Sequence, residues 1–218
     1  MRIPNHIGII PDGNRRWSIA KGLTKEKGYD KGLDPGVQLF RLCQKLGVKE
    51  LTYYGFTTDN TKRPSIQTRA FTEACVKAVS LLAQEDASLL VVGNTESQMF
   101  PKELIPFTER RNFGNGGMRV NFLVNYGWDW DLSSLSVSSK SIKNNLKGGI
   151  LGYLNSYDIS RVDLIIHWGG MRRLSGFLPV QSIYSDFYVV DDYWPDFKSE
   201  HLYTALEWYG KQDVTLGG

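Results

Sequence analysis

Three observations predict a single-domain α/β fold, with a mostly parallel central sheet and helices on its faces. Apolar runs of strand length alternate along the chain with segments of helical spacing. Glycine, proline and asparagine punctuate the ends of those segments. No composition shift, internal repeat or linker divides the 218 residues, a length that suits one α/β domain.

The first predicted strand is the apolar run 6–10, broken by Pro11 and Gly13. A helix over 14–21 follows, capped by Asn14 or Asp12 and ending near Gly22. Residues 23–33 read as a polar, lysine-rich connection. Asp34-Pro35 supplies an N-cap and a first-turn proline for a helix that runs to about Leu46. Val37, Leu39, Phe40, Cys43 and Leu46 recur there at helical spacing, and Gly47 is the stop. Residues 50–56 form a second strand and 57–65 a polar loop. The next helix covers roughly 66–86, with Ala70, Phe71, Ala74, Val76, Val79 and Leu82 on or near one face. A short strand over 89–93 precedes a polar helix over 101–113 and a turn at Asn115-Gly116-Gly117. Residues 118–125 alternate as a strand does. Residues 133–148, rich in Ser, Lys and Asn, read as an exposed helix or loop. Residues 162–167 and 187–190 are the last strands, 194–197 is a rigid turn, and Ser199 opens a final helix toward Tyr209.

Composition narrows the function classes. Hydrophobic residues make up 41% and charged residues 22%, the profile of a globular chain. A net charge of +3 is too mild to argue for a nucleic-acid partner. Cys43 and Cys75 lack metal or redox spacing and fall within helical apolar patterns, so both read as buried free thiols in a reducing compartment. No apolar run approaches the length of a membrane span and no secretory leader is visible, which predicts a cytoplasmic protein.

The chemistry gathers after three strands, in 11–17, 57–64 and 168–176. A parallel sheet opens all three loops on one edge, where α/β folds bind ligands. In the first, Arg15 and Arg16 occupy the first turn of a helix, whose N-terminus disfavours cations unless an anion lies between. With Asp12 beside them and Gly13, Asn14 and Trp17 completing the stretch, the arrangement suits a metal-bound diphosphate. The second loop offers Asp59, Asn60, Lys62 and Arg63; an asparagine can orient a leaving group or a proton without carrying charge. In the third, Gly169 and Gly170 allow close backbone approach. Arg173 and Ser175 can grip phosphate oxygens, Ser175 can also cap a following helix, and Arg172 adds a further cation. Asp186 is a second acid that could help hold a divalent cation, since Mg²⁺ prefers oxygen ligands. His6 reads as structural, His201 as a surface residue, and His167, beside the glycine pair, as the histidine nearest the chemistry. No Walker A or G-x-G-x-x-G pattern and no nucleophilic triad is present.

These stretches resemble the cis-prenyltransferase family, whose usual members are undecaprenyl diphosphate synthases. The matching segments are HIGIIPDGNRRW (6–17), YGFTTDNTKRP (54–64), the surroundings of NYG (121–131), the surroundings of DLIIHWGGMRRLSGFLPVQSIY (162–184) and WPDF (194–197), with Gly217-Gly218 at the end. The resemblance implies prenyl diphosphate substrates, Mg²⁺, a homodimer and a hydrophobic tunnel, with peripheral membrane contact if the product is long. Asp12 matches the family's essential aspartate, and Gly13, Asn14, Arg15 and Arg16 its diphosphate loop. Asn60 matches the catalytic asparagine and Arg63 its companion. Arg173 and Ser175 match the pair that holds isopentenyl diphosphate, and Asp186 stands where a Mg²⁺-linked glutamate does. Tyr29 replaces a histidine, Lys25 an arginine, Thr61 a bulky residue, and Trp128-Asp129 a Gly-Arg pair. His167 replaces an arginine of the homoallylic diphosphate site, Met171 an acid and Thr215 an arginine. The double arginine and Gly28-Tyr29 are similar to lavandulyl-type relatives, which join two allylic diphosphates into branched products. The expected function is therefore a prenyltransferase condensing an allylic with a second prenyl diphosphate. Branched or cyclised products, or a non-catalytic partner subunit, are the alternatives.

Overall fold

A computed structural model describes residues 2–137 and 149–213. Residues 138–148 of the expected 133–148 segment, Thr215 and Gly217-Gly218 lie outside the described residues. One seven-stranded sheet organises the chain, in the order β4-β3-β5-β2-β1-β6-β7. The strands are β1 (His6–Ile10), β2 (Glu50–Tyr54), β3 (Ala87–Val92), β4 (Arg111–Phe113), β5 (Met118–Leu123), β6 (Leu164–Trp168) and β7 (Asp186–Val190). All described pairings are parallel except β3 with β4. The helices are α1 (Asn14–Ala20), α2 (Lys27–Lys31), α3 (Leu33–Lys45), α4 (Ser65–Leu82), α5 (Trp128–Val137) and α6 (Ser199–Gly210).

Strand side chains alternate between faces, and two apolar clusters result. Ile7, Ile9, Leu51, Tyr53, Val120, Phe122, Leu164 and Ile166 meet Leu39, Phe40 and Cys43 of α3, Val79 and Leu82 of α4, and Leu202, Ala205 and Leu206 of α6. The opposite face is thinner, with Ile10, Tyr54, Leu90, Leu123 and Ile165 under Phe177, Leu178 and Ile159. At the strand beginnings this second face is polar. His6 is buried, with Nε2 2.8 Å from Thr52 Oγ1, and Asn121 Nδ2 donates to Glu50 Oε1 at 2.7 Å. His6 is structural, as its position before a buried strand suggests.

Several expectations need correction. Residues 23–33 contain α2, because Gly28 lets α2 press against the Asn14 carbonyl where any Cβ would collide. Helix α3 starts at Leu33 after Gly32, so Asp34 sits in the first turn and caps nothing. Gly13, at φ 99°, precedes α1 as its cap residue, so neither Asp12 nor Asn14 caps that helix. The segment 101–113 is a 3₁₀ turn (Lys102–Phe107) and strand β4, since Pro106 lacks the N–H an α-helix needs. No helix starts directly after Ser175, so it caps none; the residues that follow run in turns up to β7. His201 is half-buried rather than fully exposed. Its Nε2 lies 3.1 Å from Asp192 Oδ2 with its side chain 13% exposed, and its Nδ1 receives the Trp168 Nε1–H at 3.3 Å.

Gly8 in β1 lies under Phe177, whose ring would come within 2.5 Å of an added Cβ. Gly8→Ala is expected to destabilise the protein by about 1–3 kcal/mol, the usual cost of overpacking a filled core. Denaturant unfolding of the variant measures this, and an unchanged midpoint would mean that Phe177 moves aside freely.

Candidate active site

The site follows from the parallel pairing of β1 with β2 on one side and β6 on the other. Chain direction is shared, so the loops after these strands leave the sheet at one edge. The chain turns from β1 toward β2 on one side and returns as β6 on the other, and that reversal is where α/β sheets open a crevice. A cleft of about 470 Å³ lies there. It is lined by Asp12, Gly13, Asn14, Arg15, Arg16, Tyr29, Asp59, Asn60, Arg63, His167, Met171, Arg173 and Ser175. The three loops singled out from the sequence converge on it.

Asp12 is held by the backbone on both sides. Its N–H donates to the Ile10 carbonyl at 3.0 Å, and its own carbonyl accepts from Trp194 N–H at 3.0 Å. Its Oδ1 accepts the Gly13 N–H at 2.5 Å, and its Oδ2 lies 3.3 Å from Arg16 Nη2 and 3.8 Å from His167 Nε2. Burial pushes the Asp12 carboxyl up. The His167 ring, the Gly13 N–H and the Arg16 charge outweigh burial and hold the carboxyl below its ordinary value. Asp12 is therefore an anion across the neutral range. Gly169, at φ +84°, leaves the room that Arg16 Nη2 occupies, since a Cβ would lie 2.6 Å from it. Arg15 Nη1 donates to Gln67 Oε1 on α4 at 3.1 Å.

Asn60 is 9% exposed in a 3₁₀ turn (Thr58–Lys62). Its Oδ1 accepts the Thr57 N–H at 3.1 Å. What it can offer a ligand is therefore its Nδ2 donors, which sharpens the open donor-or-acceptor role read from sequence. Arg63 Nη1 donates to Tyr29 OH at 3.0 Å, and Tyr29 stacks on Phe71 with centroids 4.5 Å apart. In the third loop, Ser175 adopts φ 53°, a left-handed backbone rare for non-glycine residues. Tyr54 OH donates to the Ser175 carbonyl at 2.7 Å and pins that turn.

Not every expected residue arrives. Trp17 Nε1 donates to Asp196 Oδ1 at 2.8 Å and ties α1 to the 194–196 turn, away from the cleft. Lys25 is exposed in the connection before α2. Arg172 leans toward Asp191 at 3.7 Å. Asp186 begins β7 level with Leu164, about 10 Å down the strand axis from His167. Its partner is Arg2 at 3.6 Å. Burial raises the Asp186 carboxyl, and Arg2 offsets that in part. Within one chain, Asp12 and Asp186 do not share a metal site.

Sequence reasoning missed Tyr54, Gln67 and Phe71 as contributors. Tyr53 and Tyr54 are adjacent, and only strand alternation assigns Tyr54 to the cleft face. Beneath the cleft lies an apolar cavity of about 80 Å³. Its walls include Val37, Tyr53, Cys75, Ala78, Leu82 and Phe122. Pro11, Asn14, Tyr29, Gly55 and Phe71 line both spaces and are the neck of side chains at which the two adjoin. Cys75 is a free, buried thiol, pushed up to about 12 by burial.

Comparison with known proteins shows the family and the fold. Residues 10–217 match the family model Prenyltransf, described as "Putative undecaprenyl diphosphate synthase". An isoprenyl transferase of Streptococcus thermophilus is 33% identical, over 99% of this chain and 94% of that protein. A ditrans,polycis-undecaprenyl-diphosphate synthase ((2E,6E)-farnesyl-diphosphate specific) of Aliivibrio fischeri is 29% identical, over 99% of this chain and 89% of that protein. The fold is similar to the crystal structure of lavandulyl diphosphate synthase from Lavandula x intermedia, solved in complex with dimethylallyl diphosphate. There the TM-score is 0.82 at 23% identity, covering 99% of this chain and 98% of the other.

The Tyr54 hydroxyl supplies a hydrogen bond worth about 1 kcal/mol to a turn in an otherwise costly conformation. Tyr54→Phe is expected to weaken inorganic diphosphate binding by about fivefold. Isothermal titration measures the change, and unaltered affinity would show that the Ser175 turn is set elsewhere.

Proposed function

The chain belongs to the undecaprenyl diphosphate synthase family of prenyltransferases, and from that premise we propose that it condenses an allylic prenyl diphosphate with a second prenyl diphosphate, releasing diphosphate. The observation that carries this reading is the neck. A cleft ringed by Arg15, Arg16, Arg63 and Arg173 adjoins an apolar cavity across five shared residues. A molecule with a charged head and a hydrocarbon tail matches that pairing.

The first diphosphate rests on the Gly13-Asn14-Arg15-Arg16 loop, with Asn60 Nδ2 donating to it, and its tail enters the neck past Tyr29. The second diphosphate rests on Arg173 and Ser175. The allylic C–O bond breaks, and its electron pair leaves with the first diphosphate. The double bond of the second substrate supplies the electrons of the new C–C bond, and a proton is then lost. Fixed guanidinium and amide donors aimed at the departing diphosphate stabilise the charge that develops there. Asp12 fits a Mg²⁺-binding role: it is an ionised carboxylate at the cleft floor, and one carboxylate with substrate phosphates is a usual set for that ion. Bound Mg²⁺ would supply neutralisation of the leaving group's charge.

The same reading includes a homodimer and a cytoplasmic enzyme. Ile183 is 70% and Tyr184 58% exposed beside the edge strand β7, an apolar surface that suits burial against a second copy. No helix among the described residues is long and apolar enough to cross a membrane. A long product would bring peripheral membrane contact.

A second reading, the joining of two allylic diphosphates, is favoured by the cavity. Its 80 Å³ has room for roughly five to eight water-sized groups, about one five-carbon unit.

Mass spectrometry of products formed from dimethylallyl diphosphate, with and without isopentenyl diphosphate, tests both. Product only with isopentenyl diphosphate supports the first reading, product from the allylic substrate alone the second. A folded protein inert on every prenyl diphosphate contradicts both. Asp12→Ala is expected to lower turnover by about a hundredfold or more with Mg²⁺ present; retained turnover would remove Asp12 from the mechanism.

A further inference from the structure

We propose that His167 is a second protein ligand, beside Asp12, for the divalent cation that accompanies the diphosphate. The proposal rests on the prenyl diphosphate reading of the cleft. His167 pairs with Ile10 across β6 and β1, two residues before Asp12. It is 1% exposed yet lines the cleft. The Phe187 ring packs against it edge-on at 6.0 Å between centroids.

The hydrogen bond on the far side of the ring orients it. Nδ1 lies 3.0 Å from the Arg173 carbonyl oxygen. A carbonyl only accepts, so Nδ1–H donates to it and Nε2 is the ring nitrogen turned toward Asp12, where an entering cation would take the place of any proton that Nε2 carries. Metal-binding histidines share this arrangement, in which the outer N–H is tied to a carbonyl and the inner nitrogen is free to ligate. Nε2 faces Asp12 Oδ2 across 3.8 Å, too far for a hydrogen bond. Two ligands of one octahedral cation at about 2.0–2.1 Å lie about 3 Å apart when adjacent and about 4.2 Å apart when opposite. The observed gap falls between these limits, so a small shift seats an ion between the two groups.

Arg16 Nη2 touches the same carboxylate oxygen at 3.3 Å, and its side chain is 37% exposed. It has room to transfer to a diphosphate oxygen when the ion enters. An arginine at position 167 would repel a cation there. An imidazole binds one, and it shifts preference from Mg²⁺ toward Mn²⁺ and Co²⁺, which take nitrogen ligands more readily.

The test uses the full chain with Mn²⁺ and inorganic diphosphate, read by electron spin-echo modulation. Nitrogen coupling to Mn²⁺ is expected in the wild type. It should vanish in His167→Gln, with circular dichroism confirming the fold. His167→Arg is expected to lower the preference for Mn²⁺ over Mg²⁺ by about tenfold or more in a competition titration. Bound Mn²⁺ without nitrogen coupling, coupling that survives in His167→Gln, or no Mn²⁺ uptake overturns the proposal. Turnover on prenyl diphosphates without nitrogen coupling removes the ligand and leaves the reaction standing. Nitrogen coupling in a protein inert on every prenyl diphosphate does the reverse.

Discussion

The parallel register of β1 between β2 and β6 is the constraint on which the rest depends. Ile9 stands opposite Tyr53 and Ile10 opposite His167. That alignment brings Asp12, the Asn60 turn and the Arg173–Ser175 turn to one edge of the sheet. A slip of one residue would exchange the two faces of a strand, expose Ile7 and Ile9, and turn His167 away from Asp12. Strand β1 is buried at every position, so register and site are fixed by the same apolar contacts. The small residues beside it serve that end. Gly8 makes room for Phe177, and Gly169 makes room for Arg16.

Around this frame the site sets two carboxylates, Asp12 and Asp59, among several cations. Asp12 stays ionised because His167, the Gly13 N–H and Arg16 outweigh its burial. Two of the guanidinium groups that line the cleft are anchored by neutral partners: Arg15 by Gln67 and Arg63 by Tyr29. Arginines held this way keep their charge available for phosphate oxygens, and a planar fork binds such oxygens in pairs. Tyr29 does two jobs at once, since its hydroxyl holds Arg63 while its ring stacks on Phe71 at the neck. Polar grip and hydrocarbon entry are thus coupled through one side chain.

Much of this was legible in the sequence. Apolar runs bounded by proline and glycine located β1, β2, β5 and β6, and those strands in parallel order made the loop convergence a consequence of topology. Arg15 and Arg16 in a helix's first turn marked an anion site because that location is otherwise unfavourable for cations. The misses have physical causes. Asp186 looked like a second metal acid because a carboxylate's place along a strand is invisible until register is known. Trp17 sits within the diphosphate motif, but helix periodicity turns its ring toward Asp196. The 101–113 segment carries helix-forming residues, yet Pro106 and edge pairing with β3 decide its form. Tyr54 and Phe71 matter through contacts between distant segments, which no local pattern announces. The cavity under the neck depends on the joint packing of α3, α4 and the sheet, so its size could not be read from any one helix.

The most direct measurement is a crystal structure of the protein with a non-hydrolysable allylic thiodiphosphate. The expected result places the diphosphate against Arg15, Arg16 and the Asn60 Nδ2 donors, with the hydrocarbon passing Tyr29 and Gly55 toward Cys75 and Leu82. A diphosphate bound outside the cleft, or a tail that leaves toward solvent while the cavity stays closed, would contradict it.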